Sequence, residues 1–346
     1  MHLHDIIENL RISELVKQFP RSSEQLNQTH ESDAELLQLS DSTTLAIATD
    51  SISEELELGF YEDPFTMGWV LVNAAFSDIA ASAASPLGIT TGLTISSSNR
   101  DNFSEELFHG IHAACKDLGT FLLGGDLNYG SQNVFSATAL GLLQNKFLTR
   151  KGISHGDRLF ATGHMGLGNW MVWKKLQGEN REKIYRPKAR LNYREILLEY
   201  ATATIDTSDG FISGVDQLMR INQIGFHIDS SFDDIVTDEC SQKQSGLDPL
   251  LFLAAQHGEF ELLFTVPSDE TERFKTEANK LSLPFIELGE ATPEPVLTFA
   301  SLNNRTIDTT YLRNLYENSS GDMEHYLKQL FSYGKNISNF RNKQGS

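Results

Sequence analysis

The run MGWVLVNAAFSDIAASAA, residues 67–84, constrains this chain more than any other stretch. It is apolar on nearly every helical face and rich in alanine, so as a helix it must be covered on all sides. Pro86 ends it. Inside it stands Asp78, a carboxylate that is costly to bury without a partner. Either Asp78 meets a buried donor, or it faces a wet, charged site.

Around that helix, strands and helices alternate. TTLAIATDS (43–51) reads as a buried strand stopping at Asp50, followed by acidic, irregular residues 52–65. Strands are expected at 87–96, 121–128 and 134–143, with an amphipathic helix at 104–119 closed by Gly119. A polar, basic stretch, KFLTRKGISHGD (146–157), marks a boundary. Beyond it, further strands are expected at 225–231, 260–266 and 284–292, and helices at 211–222 and 269–282. The fold class is α/β (α+β), with an N-terminal domain over 1–148, a C-terminal domain over 149–300 and an extension over 301–346. The extension is polar and is expected to wrap the surface or dangle.

A chain of 346 residues has ample length for two cores. Its net charge of −19 argues against a nucleic-acid partner, which would require a basic footprint. The charge leaves a nucleotide ligand open, because a bound metal inverts the local sign of the field. Two distant cysteines make neither a disulfide framework nor a zinc site. No segment reads as a signal peptide or a membrane span, so a cytoplasmic protein is expected. The N-terminal residues fit an amphipathic helix instead.

Four places share one pattern, in which an apolar strand or helix delivers an aspartate into a turn. They are Thr49-Asp50, Ser77-Asp78, Gly124-Gly125-Asp126 and Asp206-Thr207-Ser208-Asp209. Asp33, in HESDAELL, is a fifth candidate. Any one of these is also an ordinary turn or cap residue. Converging, they would repel one another unless cations bound, and an all-carboxylate cluster suits Mg²⁺ shared with substrate phosphates. Gly124-Gly125 lets backbone approach a ligand closely. Arg150 and Lys151 are natural cations for a polyphosphate, or simply exposed linker charge. The turn Gly163-His164-Met165-Gly166-Leu167-Gly168 lacks the dinucleotide spacing, and no nucleophile elbow is present.

TTLAIATDS, VNAAFSDIAASAASPLGI, LLGGDLN, LTRKGISHGDRLFATGHMGLG, YRPKARL, ATIDTSDGF and GEFELLFTV together resemble the successive motifs of thiamine-monophosphate kinase. That family belongs to the superfamily of aminoimidazole ribonucleotide synthetase and selenophosphate synthetase. The resemblance implies two α/β domains, with N-terminal strands forming a β-barrel shared across a homodimer and ATP with several Mg²⁺ in a cleft. It implies Mg²⁺ ligation by Asp33, Thr49, Asp50, Asp78, Asp126, Asp206 and Asp209. Nucleotide contacts would come from Gly125, Asp126, Arg150 and Ser208, and catalytic roles would fall to Asp209 and Asp126.

The departures from the family pattern fall on the acceptor side. The first acidic motif has become Glu31-Ser32-Asp33-Ala34, and a histidine beside the substrate is replaced by Glu57. The late block is shortened to Gly258-Glu259-Phe260-Glu261-Leu262, which makes Glu57 and Glu259 candidate acceptor contacts. The expectation is therefore an ATP- and Mg²⁺-dependent small-molecule kinase with a changed acceptor. The alternatives are a genuine thiamine-monophosphate kinase, an ATP-dependent synthetase acting through a phosphorylated intermediate, or a non-catalytic nucleotide-binding paralogue.

Overall fold

The computed structural model describes residues 1–99 and 102–343. Four helices, α1 (Ile7–Val16), α2 (Ser53–Glu57), α3 (Pro64–Ala81) and α4 (Phe103–Asp117), accompany a first sheet. Its strands are β1 (Glu35–Ser40), β2 (Thr43–Ser51), β3 (Ser85–Ser96), β4 (Leu122–Gly130) and β5 (Val134–Gln144), in the order β1-β2-β5-β3-β4. Neighbours are antiparallel except β3 and β4, which run parallel and are joined through α4. Alternate residues of β5 (Phe135, Ala137, Ala139, Leu143) are buried while those between are half-buried, as expected when helices cover one face.

Helix α3 is the pivot. It begins three residues earlier than its apolar run because Asp63 caps it, accepting from Thr66 N at 3.0 Å, and Pro64 takes the first turn. It stops at Ala81 because the chain turns left-handed at Ala83 (φ 56°) and enters β3 at Ser85. Pro86 therefore lies in a strand, at a register shift opposite Gly141. α3 and α4 cross with backbones touching: a Cβ on Gly68 would lie 2.2 Å from Leu107 O, and one on Gly110 2.1 Å from Phe65 O.

The second sheet comprises β6 (Arg158–Ala161), β7 (Ala203–Asp206), β8 (Gly225–Ile228), β9 (Leu262–Val266), β10 (Ile286–Thr292), β11 (Leu297–Phe299) and β12 (Arg305–Ile307). Its order is β12-β11-β8-β10-β6-β9-β7. Helices α5 (Leu167–Leu176), α6 (Arg194–Tyr200) and α7 (Phe211–Asn222) pack with it. α3 touches β2 and β5 of the first sheet and β7 of the second, so it lies between the two layers.

The basic stretch after α5 ties the halves together. Trp69 Nε1 donates to Pro187 O (2.7 Å), Ala189 N to Asn73 Oδ1 (3.0 Å), and Lys188 pairs with Asp117 (2.8 Å).

Both terminal segments pack on the body of the protein. Of the two readings of the extension, its described residues follow the one that wraps the surface. β12 joins the second sheet, and the helix Met323–Lys343 buries Tyr326, Leu330 and Ile337, with Phe331 against Trp173 at 5.2 Å between ring centroids. α1 packs on the second half: Asn9 Nδ2 donates to Gln217 Oε1 (3.0 Å) and Ile7 N to Asn314 Oδ1 (2.9 Å). The fully buried Arg220 bonds Asp216 at 2.7 Å and reaches His2 O. Residues 52–65, expected to be irregular, contain the short helix α2. Among the described residues no helix is long and apolar enough to cross a membrane.

Candidate active site

The C-terminal ends of β2 and β7 and the last turns of α3 meet at one point, and each carries an aspartate. Carboxylate oxygens of Asp33, Asp78 and Asp206 lie within 4.8 Å of one another. Asp50, at the end of β2, and Asp209, in the turn after β7, are close enough to add their fields. Burial pushes the Asp206 carboxyl up to about 7, with Asp33 adding to it. Burial, with the Asp209 charge, raises Asp50 to about 6. Asp78 is pushed well above the ordinary carboxylate range by burial and by Asp206, Asp33 and Asp50.

Among the described residues, Arg150 answers the cluster. Arg150 Nη2 donates to Asp33 Oδ1 at 2.8 Å, while Nη1 donates to His30 O (3.2 Å). A single guanidinium cannot neutralise five carboxylates. Asp206 Oδ1 accepts from Ser208 Oγ (3.0 Å), but its buried Oδ2 has no hydrogen-bond partner. An orphaned buried carboxylate oxygen inside an all-oxygen cluster is the donor set that a hard, oxygen-seeking dication such as Mg²⁺ takes.

The turn that carries Ser208 and Asp209 is built tightly. Gly210 N closes it on Thr207 O (3.0 Å), and Gly210 adopts φ 84°, a conformation only glycine takes without strain. Gly210 is itself the N-cap of α7, with no side-chain cap, so Asp209 is free to face the cleft. Gly258 N donates to Ser208 O (2.9 Å), and a Cβ on Gly258 would fall 1.5 Å from Thr207 O.

The remaining expected residues fall elsewhere. Thr49 sits beside Asp50 but on the opposite face of β2, where its hydroxyl meets that of Thr138 at 2.9 Å. Gly125 and Asp126 lie on β4, the outermost strand of the first sheet and three positions from β2 in its order. Asp126 is exposed and accepts from Asn128 Nδ2 at 2.6 Å. The close approach that Gly125 permits is to its own neighbour, since a Cβ there would meet Thr91 O at 2.3 Å.

Glu259 is buried away from the cavities, its Oε1 accepting from Gly166 N (2.8 Å) and Gly168 N (3.0 Å). It thereby clamps the glycine turn that opens α5. Glu57 is exposed on α2. Glu54 and Glu55 of the same short helix line the cleft, with Glu57 standing near Tyr316 at its edge.

Two cavities meet at Glu8, Ser208, Asp209, Ser213 and Arg313. The smaller, about 140 Å³, reaches Arg150 and Asp206. The larger, about 300 Å³, runs under the C-terminal helix between Trp173, Phe252, Leu330 and Phe331. The sequence reading missed Glu8, Glu55 and Arg313. Arg313, 6% exposed, donates to Glu8 Oε2 and Gln217 Oε1, both at 3.0 Å. No local motif marks these three: packing of the two chain ends on α7 brings Glu8 and Arg313 together, and Glu55 is set by the orientation of α2. Burial, then the Asp50 and Glu54 charges, raises Glu55 to about 7.

Comparison with known proteins gives consistent matches. Residues 31–143 match the family model for AIR synthase related protein, N-terminal domain. A thiamine-monophosphate kinase of Nitrosopumilus maritimus is 27% identical over 294 residues, 81% of this chain and 90% of that protein. Another, from Archaeoglobus fulgidus, is 25% identical over 232 residues, 65% and 75% of the two chains. The solved structure of AaThiL complexed with AMPPCP and TMP superposes with a TM-score of 0.73 at 19% identity, covering 86% of this chain and 94% of that one.

Proposed function

We propose that this chain, which belongs to the superfamily of aminoimidazole ribonucleotide synthetase and thiamine-monophosphate kinase, transfers the γ-phosphoryl group of ATP to thiamine monophosphate, giving thiamine diphosphate. That it is an ATP-dependent kinase follows from its relatives. The changed acceptor expected from Glu57 finds no support, because Glu57 does not line the cavity and the relatives carry the unchanged activity in their names.

The observation that carries the reading is the convergence of Asp33, Asp78 and Asp206 next to Asp50 and Asp209, beside a small cavity lined by Asp206 and Asp209 that meets, at Asp209, a larger one with aromatic walls. Asp33, Asp50, Asp78, Asp206 and Asp209 would hold Mg²⁺, which would supply neutralisation of phosphate charge there. Ser208 and Arg150, on either side of Asp206, orient the polyphosphate. Asp209 stands at the junction of the two cavities, where the attacking phosphate oxygen arrives. The apolar walls at Trp173, Phe252 and Phe331 take the acceptor's rings and keep water from the reacting groups.

The active unit is a cytoplasmic homodimer paired through β4 and the sheet face beside it. Phe121 (70% exposed), Leu123, Leu127 and Tyr129 (67%) form an apolar strip on and beside the outermost strand. Such a strip on an unpaired edge calls for a partner. Gly125 lies in that strip and Asp126 on the other face of the same strand, so pairing along β4 brings both to an interface where they can serve the nucleotide. The N-terminal domain then supplies metal binding and dimerisation, and the C-terminal domain the turn and the acceptor cavity.

The test is an acceptor panel read by mass spectrometry, with Mg·ATP and thiamine monophosphate, thiamine, amines, guanidines and alcohols. Thiamine diphosphate as the dominant product is the expected result. Phosphorylation of another member, with thiamine monophosphate unused, would restore the changed-acceptor reading.

A further inference from the structure

We infer that Glu55 is the specificity-determining residue for the acceptor, holding a delocalised ring cation against the aromatic wall of the larger cavity. This rests on the proposed acceptor reading and adds the chemistry of the contact.

Glu55 projects from α2 into the same cavity as Asp209, Trp173 and Phe331. Among the described residues no basic side chain pairs with it, and its carboxylate bonds its own backbone N–H. Its neighbours are treated differently. Arg313 neutralises Glu8 at 3.0 Å, and Lys175 pairs with Glu62 at 3.2 Å. The nearby cations are thus committed: Arg313 is bonded to Glu8 and Gln217, and Arg150 to Asp33.

A carboxylate lining an apolar cavity without a partner is costly unless the ligand brings the countercharge. The cavity wall supplies the complement of such a ligand. Trp173 and Phe331 lie 5.2 Å apart between centroids, and Tyr316, Tyr326 and Phe252 surround the same space. Glu317 and Glu54 line the cavity as well, but Glu317 pairs with Arg11 at 2.7 Å and Glu54 bonds the Tyr316 hydroxyl, so the aromatic faces and Glu55 together suit a flat, weakly hydrated cation such as a thiazolium.

The orientation of the acceptor follows. Mg²⁺ held by Asp209 and the neighbouring aspartates would draw its phosphate to one end, and Glu55 keeps its positive ring at the other. The phosphate oxygen is then presented to ATP while the ring cannot turn toward the metals.

The experiment compares binding of thiamine monophosphate and of its neutral deaza isostere, in which a thiophene replaces the thiazolium. Calorimetry is run on the full-length protein and on E55Q, each with Mg·AMPPCP, with turnover measured in parallel. Wild type is expected to prefer the cation by about tenfold, and E55Q to bind the two alike. E55D, which keeps the charge, should retain part of the preference. Equal affinities in wild type, or a preference that survives in E55Q, overturns the inference even if thiamine diphosphate forms. A Glu55-dependent preference without turnover supports the inference and overturns the kinase reading. Failure of both compounds to bind overturns both.

Discussion

Asp78, in the last turns of α3, and Asp206, the final residue of β7, place carboxylate oxygens within 4.8 Å of each other, one of them with no hydrogen-bond donor at all. Two buried carboxylates in that relationship repel, so the metal-free protein holds unfavourable electrostatic energy that Mg²⁺ releases. Replacing either with its amide separates stability from activity. D78N and D206N are expected to raise the metal-free melting temperature by a few degrees, corresponding to about 1–2 kcal/mol. The same variants should lose most of the further rise produced by Mg·ATP and at least about a hundredfold in kcat. Calorimetric melts with and without Mg·ATP, beside turnover, check this.

The pH dependence carries a definite sign. Asp50 titrates near 6 and Asp206 near 7 in the folded protein, above their unfolded values. The folded state therefore binds more protons between about pH 4 and 7, and stability falls as pH rises through that window. Mg²⁺ competes with those protons and should reverse the trend. Urea unfolding from pH 4.5 to 8 should show decreasing stability without metal and a flat or rising profile with saturating Mg²⁺. A metal-free protein that gains stability over this range would contradict the cluster.

Arg150 and Asp33 form the cluster's one internal ion pair, with side chains 19% and 2% exposed. Removing the guanidinium leaves the Asp33 carboxylate buried and uncompensated. R150M should cost about 3 kcal/mol of stability and raise the KM for ATP. D33N in the R150M background should return much of the stability but none of the affinity. Unfolding midpoints and steady-state kinetics on the single and double variants separate the two effects.

The β4 strip predicts an association that a polar substitution abolishes. L127E with Y129E, on the open strand, should shift the protein from dimer to monomer in light scattering and lower turnover with little change in melting of the isolated chain. A variant that stays dimeric would place the interface elsewhere.

Much of the framework was legible because it rests on local periodicity. The α3 run, the β2 strand to Ser51 and helix α7 fall close to where their apolar spacing puts them. Asp50, Asp78, Asp206 and Asp209 stand together for the reason their positions suggested, at the ends of elements that share one layer boundary. The illegible parts depend on orientation or on contacts distant in sequence. Glu55 lines the cleft while Glu57 stands at its edge, a difference set by the orientation of a short helix, and that helix lay in residues read as irregular. Thr49 follows the alternation of β2 to the wrong face. Glu259 looked like an acceptor contact because of its motif, but its carboxylate is held by Gly166 N and Gly168 N. Glu8 and Arg313 meet across 305 residues of sequence separation, a relationship that no local pattern encodes.

The most direct measurement is ³¹P NMR of one tube holding the full-length protein, Mg·ATP and thiamine monophosphate. The account predicts that the thiamine monophosphate resonance is replaced by the two coupled resonances of thiamine diphosphate, one equivalent for each ADP, and that D206N leaves the spectrum unchanged. ADP accumulating with inorganic phosphate while thiamine monophosphate persists would contradict it.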